Sequence, residues 1–153
     1  MPANEPGVIW IPNNNFFPNR IEPVSKLQCA PQWVILHGTA GGTSAQAIAQ
    51  YFQTVQASAH YIVGPDGTIV QCNDEKDGAW ANGGITGPPG VSGDGVHHDP
   101  WWDTTPFTNP NVRTIAIEHV KASTDNSDQL TDAQKQAAFQ LVADICQRWY
   151  IPM

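Results

Sequence analysis

Residues 33–42 read WVILHGTAGG, and the prediction of the fold starts from this segment. Its first four residues form a continuous apolar run with two β-branched members, which predicts a strand buried on both faces. The run ends at His37, immediately before a glycine-rich turn. Open α/β sheets place their functional sites at the carboxyl ends of strands, so His37 is a candidate ligand or catalytic residue. The alternative is a histidine with a purely structural role.

A helix and a hairpin are predicted directly after this strand. Thr43 and Gln46 have the spacing of a capping box, which opens a helix with one apolar face. That face comprises Ile48, Phe52 and Val55. Residues 60–71 contain two strand-like runs, HYIV and TIVQ, on either side of a GPDG turn. This arrangement predicts a β-hairpin.

Residues 114–120, TIAIEHV, predict another strand by their alternation. Side chains on a strand point alternately to opposite faces, so Glu118 shares a face with Thr114 and Ala116. The two isoleucines form the core face together with His119, which is expected to be a core or interface histidine. Glu118 has small neighbours that leave room for a substrate, and burial would raise its pKa. The alternative is a carboxylate at a solvated strand end.

The whole chain is predicted to form an α/β domain with a central β-sheet flanked by α-helices. Thr131 and Gln134 form a second capping box before the last helix. The apolar face of that helix comprises Ala138, Leu141, Val142, Ile145 and Trp149. Residues 1–30 are expected to form an extended N-terminal arm packed on a domain of residues 31–153. Residues 78–111 form a long loop rich in glycine, proline and tryptophan, and loops of this length are usually functional.

Composition excludes several classes of protein. Seven basic against 14 acidic residues give a net charge of −7, and no run of basic residues could neutralise the phosphates of a nucleic acid. No apolar stretch approaches the roughly 18 residues that span a membrane, and no secretory signal is recognisable. The three cysteines lack CxxC spacing, which argues against a disulfide framework and a four-cysteine zinc site.

His37 and Glu118 together suggest hydrolysis of an amide. A histidine at one strand end and an acid on another would suit a metal-activated water with the glutamate as general base. Spacing alone does not establish that the two residues meet.

Several motifs occur in one order along the chain. They are VILHGTAGG at 34–42, SAHYIV with DGTI at 58–69, AWANG at 79–83, NPN at 109–111 and TIAIE at 114–118. This series resembles the zinc-dependent N-acetylmuramoyl-L-alanine amidases of the type-2 amidase and peptidoglycan-recognition-protein superfamily, in particular phage endolysins. The resemblance covers about residues 30–150 and implies a mixed, mostly parallel central sheet with helices around it.

The resemblance also implies roles for single residues. His37 matches the first zinc ligand, and Glu118 looks like the acid that assists catalysis in one branch of the family. Another branch uses a tyrosine where this chain has Ala59. His60 is expected to be structural. The resemblance makes Tyr61 and Trp80 candidate groove walls and implies further substrate contacts at Thr39 and Asn82. Relatives often carry histidine where this chain has Ala81.

The family pattern is incomplete at the C-terminus. A catalytic zinc needs about three protein ligands, and the family's second histidine and final Cys or Asp follow the last helix, whereas this chain stops at Met153. Three explanations remain open. The chain is a piece of a longer protein, it is a peptidoglycan-binding relative that has lost its metal, or ligands come from within. The obvious internal source is His97, His98 and Asp99.

We therefore expect a peptidoglycan hydrolase that uses Zn²⁺ to cleave the amide bond between N-acetylmuramic acid and L-alanine. The substrate would lie under the long loop, against Trp80, Trp101 or Trp102. The expected partner is peptidoglycan, with no nucleic acid and no membrane, and a monomer is expected. The protein would act on the bacterial cell wall, as a lysin released at lysis or a cytoplasmic recycling enzyme. The rival is a wall-binding module without catalysis.

Overall fold

The computed structural model of the protein describes residues 4–23, 25–82 and 109–153. The strands are β1 (Ile9–Trp10), β2 (Phe16–Phe17), β3 (Trp33–Gly38), β4 (Tyr61–Val63), β5 (Ile69–Gln71), β6 (Gly78–Ala79) and β7 (Thr114–His119). The helices are α1 (Ala45–Phe52) and α2 (Asp132–Trp149). Single 3-10 turns lie at Pro18–Arg20 and Pro110–Val112.

Five strands form a central sheet in the order β1-β5-β4-β7-β3. Strand β1 runs parallel to β5, and β7 runs parallel to both of its neighbours, β4 and β3. The β4–β5 pair is antiparallel and is the predicted hairpin. Strands β2 and β6 pair separately. The mixed, mostly parallel sheet expected from the sequence is therefore confirmed.

Each face of the sheet is covered by one of the two described helices. Helix α1 buries Ile48 and Phe52 against Ile62 of β4. Helix α2 packs on the opposite face, with Leu141 in the cluster that holds the two isoleucines of β7. Because β4 is buried on both faces, alternate residues of this strand belong to the two different clusters.

The two capping boxes were predicted with different accuracy. Helix α2 begins as predicted, with the Thr131 hydroxyl accepting from the backbone N–H of Gln134. At α1 the cap is one residue later than predicted: Ser44 has an extended backbone, and its hydroxyl accepts from the Ala47 N–H. The N-cap is the residue directly before the first helical one, and α1 begins at Ala45.

Strand β3 corrects a prediction. It lies at the edge of the described sheet and pairs with β7. Leu36 is 53% exposed, so burial on both faces is wrong for this strand. An apolar run does not distinguish a central strand from an edge strand that is covered on one side.

The N-terminal arm is integrated into the sheet. Strand β1 extends the sheet beside β5, and β2 pairs with β6. Between β2 and β3, the Arg20 side chain is buried and donates to the backbone carbonyls of Glu75 and Thr114 at 2.8 and 2.9 Å. Neither described helix combines the length and apolarity that crossing a membrane requires.

Candidate active site

His37 and Glu118 lie side by side at the carboxyl ends of two parallel strands. They are register partners of the β3–β7 pair, so their side chains share a face of the sheet. Ile62 of β4 is the register partner of Glu118 on its other side. Strand ends of this kind are where open α/β sheets bind their ligands. The structure thus brings together the two residues that the sequence suggested as a pair.

Glu118 is placed to gain and lose a proton. Burial raises the pKa of its carboxyl group, and the neighbouring His37 opposes that shift. The Oε2 atom is buried and has no hydrogen-bond partner among the described residues. Burying an ionised carboxylate is costly, and this cost shifts the balance of Glu118 towards its neutral form.

The imidazole of His37 is held from the segment that follows β6. Its Nε2 lies 2.6 Å from Oδ1 of Asn82. The Asn82 amide nitrogen donates to Oγ1 of Thr114 at 2.7 Å. The backbone N–H groups of Ala81 and Asn82 both donate to Oδ1 of Asn111, at 3.0 and 2.8 Å.

Tyr61 is not a groove wall. Its side chain is fully buried in the α2 cluster, and its hydroxyl donates to Oε1 of Glu75 at 2.5 Å. Burial, together with the charge of Glu75, raises the pKa of this phenol far above its ordinary value, so the hydroxyl stays a donor. The sequence prediction is corrected because Tyr61 and Ile62 lie on opposite faces of β4, each of which is covered by a helix.

Thr39 also serves the framework. It is 9% exposed, and its hydroxyl accepts from the backbone N–H of Lys121 at 2.9 Å. This bond continues the pairing of β3 and β7 past the ends of the strands, so the geometry does not support the expected substrate contact. Trp80 is different, because it is 36% exposed and its ring packs against Phe17 with centroids 5.7 Å apart. A role for Trp80 as a groove wall stays a prediction.

The other histidines of the described chain are buried. His60 is fully buried, as expected of a structural residue, and its Nδ1 accepts from the backbone N–H of Ala116 at 3.0 Å. His119 lies on the core face, as predicted, with Nδ1 2.9 Å from the carbonyl oxygen of His37. Ala59 is buried beside α1.

Two residues that shape the site were missed by sequence reasoning. Asn111 lies within the Asn-Pro-Asn motif, and Arg20 lies in the N-terminal arm. An asparagine after proline and an arginine in an arm carry no sequence signal of their own. Their function depends on backbone carbonyls and N–H groups that meet only in the fold.

The described residues provide only some of the donors that a zinc ion needs. Within residues 4–23, 25–82 and 109–153, no group of three His, Cys, Asp or Glu side chains could hold a metal ion. His37 therefore offers one ligand, and Glu118 offers an unpaired oxygen beside it. These residues do not complete a zinc site. The candidates His97, His98 and Asp99, and the candidate walls Trp101 and Trp102, lie outside the described residues.

Comparisons with known proteins cover most of the chain. A family model described as N-acetylmuramoyl-L-alanine amidase matches residues 27–153. No curated protein sequence matches the chain significantly.

Several solved structures share the fold. A selenomethionine derivative of AmpD is 17% identical with a TM-score of 0.60, over 95% of this chain and 76% of that one. A mutant endolysin from Bacillus subtilis is 19% identical with a TM-score of 0.60, over 95% and 78%. AmiD from E. coli, solved with anhydro-N-acetylmuramic acid-L-Ala-D-gamma-Glu-L-Lys, is 23% identical with a TM-score of 0.53, over 80% and 45%. Identities this low establish a shared fold.

Proposed function

The chain belongs to the N-acetylmuramoyl-L-alanine amidase family, and from this premise we propose that it hydrolyses the amide bond between N-acetylmuramic acid and L-alanine in peptidoglycan. The observation that carries the proposal is the pairing of His37 with Glu118 at the strand ends. The structural relative AmiD was solved with a muramyl peptide, which supports a substrate of the same chemistry here.

Glu118 acts as the general base and then as the general acid. As a carboxylate it accepts a proton from the water that attacks the amide carbonyl. It then returns that proton to the leaving amine of L-alanine, without which the C–N bond breaks only slowly. Burial raises the pKa of Glu118. Its proton affinity thereby comes closer to the affinities of the attacking water and the leaving amine, with which it exchanges a proton.

We propose Zn²⁺ as the cofactor, with His37 as one ligand and the others outside the described residues. A bound zinc ion polarises a carbonyl and makes water more acidic. The described donors do not complete its site, so no step of the reaction is assigned to the metal. The metal content of the purified protein tests this proposal directly. Undiminished zinc in His37→Ala would reject His37 as a ligand.

Peptidoglycan is the proposed partner, and the bacterial cell wall is the proposed place of action. Trp80 is a candidate apolar wall for the bound muramyl peptide, because its indole is partly exposed two residues before Asn82, which contacts His37.

Digestion of purified sacculi tests the function. The protein should release stem peptides with a new L-alanine N-terminus, identified by mass spectrometry. Glu118→Gln keeps the size of the side chain but cannot accept the proton, so turnover should fall by at least about 100-fold. A variant at an exposed carboxylate, Asp132→Asn, is the matched control. Binding of sacculi without any release would favour the non-catalytic wall-binding module.

A further inference from the structure

A chain of hydrogen bonds leads from a backbone carbonyl to the imidazole of His37. We propose that Asn82 is a positioning residue that keeps the His37 proton on Nε2 and leaves Nδ1 as the nitrogen with the free lone pair. Asn82 was expected to contact the substrate. Its side-chain bonds go instead to His37 and Thr114, at 2.6 and 2.7 Å.

The direction of each bond follows from counting protons. The Thr114 hydroxyl donates its single proton to the carbonyl oxygen of Pro110 at 3.0 Å, because a carbonyl can only accept. Oγ1 of Thr114 must therefore accept from Asn82, and only the amide nitrogen of Asn82 can donate to it. Oδ1 of Asn82 then faces His37 and can only accept, so Nε2 of His37 must carry the proton.

The neighbouring contacts prevent Asn82 from reversing its amide. Thr114 is 1% exposed, so no solvent can replace its bond to Pro110. The backbone of Asn82 is fixed by the 2.8 Å bond from its N–H to Asn111. Arg20 in turn donates to the carbonyl oxygen of Thr114 at 2.9 Å and holds the start of β7 in place.

The consequence for His37 is a single tautomer. No described residue hydrogen-bonds to Nδ1, so this atom is available to an electron-pair acceptor such as a divalent cation or a proton. Outer hydrogen bonds of this kind orient a histidine and select the nitrogen that reacts. The tautomer stands on the hydrogen bonds alone, whereas its effect on turnover rests on the proposed function.

Nuclear magnetic resonance of the ¹⁵N-labelled full chain measures the tautomer without any activity assay. At a pH well above the ordinary imidazole pKa of about 6.5, the wild type should show a protonated, pyrrole-type Nε2 and an unprotonated Nδ1 for His37. The signals are assigned by their loss in His37→Gln. A His37 ring with the proton on Nδ1, or with rapid averaging between the two nitrogens, would overturn the proposal.

Variants of the hydrogen-bonded chain sharpen the test. Asn82→Ala and Thr114→Val should each move the His37 nitrogen signals towards tautomer averaging and speed the exchange of the Nε2 proton with solvent. Thr114→Ser retains the hydroxyl and should keep the wild-type signals. If Thr114→Val fails to fold, Asn82→Ala carries the test, because Asn82 is only partly buried. Unchanged signals in Asn82→Ala would refute the role of Asn82.

Steady-state kinetics separate positioning from substrate contact. A positioning role predicts that Asn82→Ala lowers kcat by about 10- to 100-fold with KM nearly unchanged. A rise in KM with kcat retained would overturn it in favour of the substrate contact. If no turnover is found in the wild type, the proposed function fails, while the tautomer measurement still decides the role of Asn82.

Discussion

Tyr61→Phe distinguishes a core residue from a wall of the substrate groove. The tyrosine hydroxyl donates to Oε1 of Glu75. Glu75 is 2% exposed, and its Oε1 also accepts from Arg148 while its Oε2 accepts from Trp149, at 2.6 Å each. A hydrogen bond to a charged group contributes about 1.5–3 kcal/mol. Phenylalanine leaves no cavity, and Glu75 keeps its other donors, so we expect the free energy of unfolding to fall by about 2 kcal/mol. With a urea dependence of about 2 kcal/mol per molar, the midpoint should drop by about 1 M.

The assay combines urea unfolding, followed by tryptophan fluorescence, with the rate of stem-peptide release. The urea midpoint for Tyr61→Phe should fall. Its kcat/KM should stay within about twofold of the wild type when measured without denaturant, at a temperature where both proteins are fully folded. Tyr51→Phe is the control, because Tyr51 is 57% exposed and its loss of a hydroxyl should change neither quantity. A tenfold loss of kcat/KM in Tyr61→Phe with an unchanged midpoint would refute the assignment to the core.

Three further predictions concern stability. Arg20→Met should lower the free energy of unfolding by about 3 kcal/mol, since backbone carbonyls lose a charged donor; thermal unfolding that matches the wild type would contradict this. Burial lowers the pKa of His60 to about 3, from 6.5. Below pH 6.5 the unfolded chain binds a proton at His60 that the native protein excludes. The free energy of unfolding should therefore fall from pH 6.5 towards pH 3, by up to about 1.4 kcal/mol per pH unit. Urea midpoints measured across this range should fall less steeply in His60→Gln, and equal slopes would count against the assignment. Thr131→Ala removes the cap of α2 and should lower the free energy of unfolding by about 1 kcal/mol, measured by urea unfolding. Thr131→Ser keeps the capping hydroxyl and should retain most of the wild-type stability.

Local patterns predicted much of the fold, since they depend on neighbours in the sequence. The alternation of 114–120 correctly placed Glu118 and His119 on opposite faces, because the pleat of a strand makes every second side chain share a face. The turn at residues 64–67 and the cap at Thr131 were predictable for the same reason: their hydrogen bonds join residues at most four positions apart.

Predictions from the sequence were wrong where the environment of a residue depends on elements distant in the chain. Leu36 belongs to an apolar run, yet its exposure depends on β3 having β7 on one side only within the described sheet. Tyr61 looked like a groove residue, and its burial follows from a helix that begins 71 residues later. The contact of His37 with Asn82 spans 45 positions, and no spacing rule relates such residues.

The buried Arg20 and strand β1 bear on how the protein could be recombined with others. The family match begins at residue 27, after both of these features. A chimera joined at that point would lose the donor to the carbonyls of Glu75 and Thr114 and would open the edge of β5 to solvent and to other chains. The segment that can be exchanged between proteins without loss of structure is therefore longer than the region matched by the family model. A chimera should include the N-terminal arm from at least Ile9 onwards.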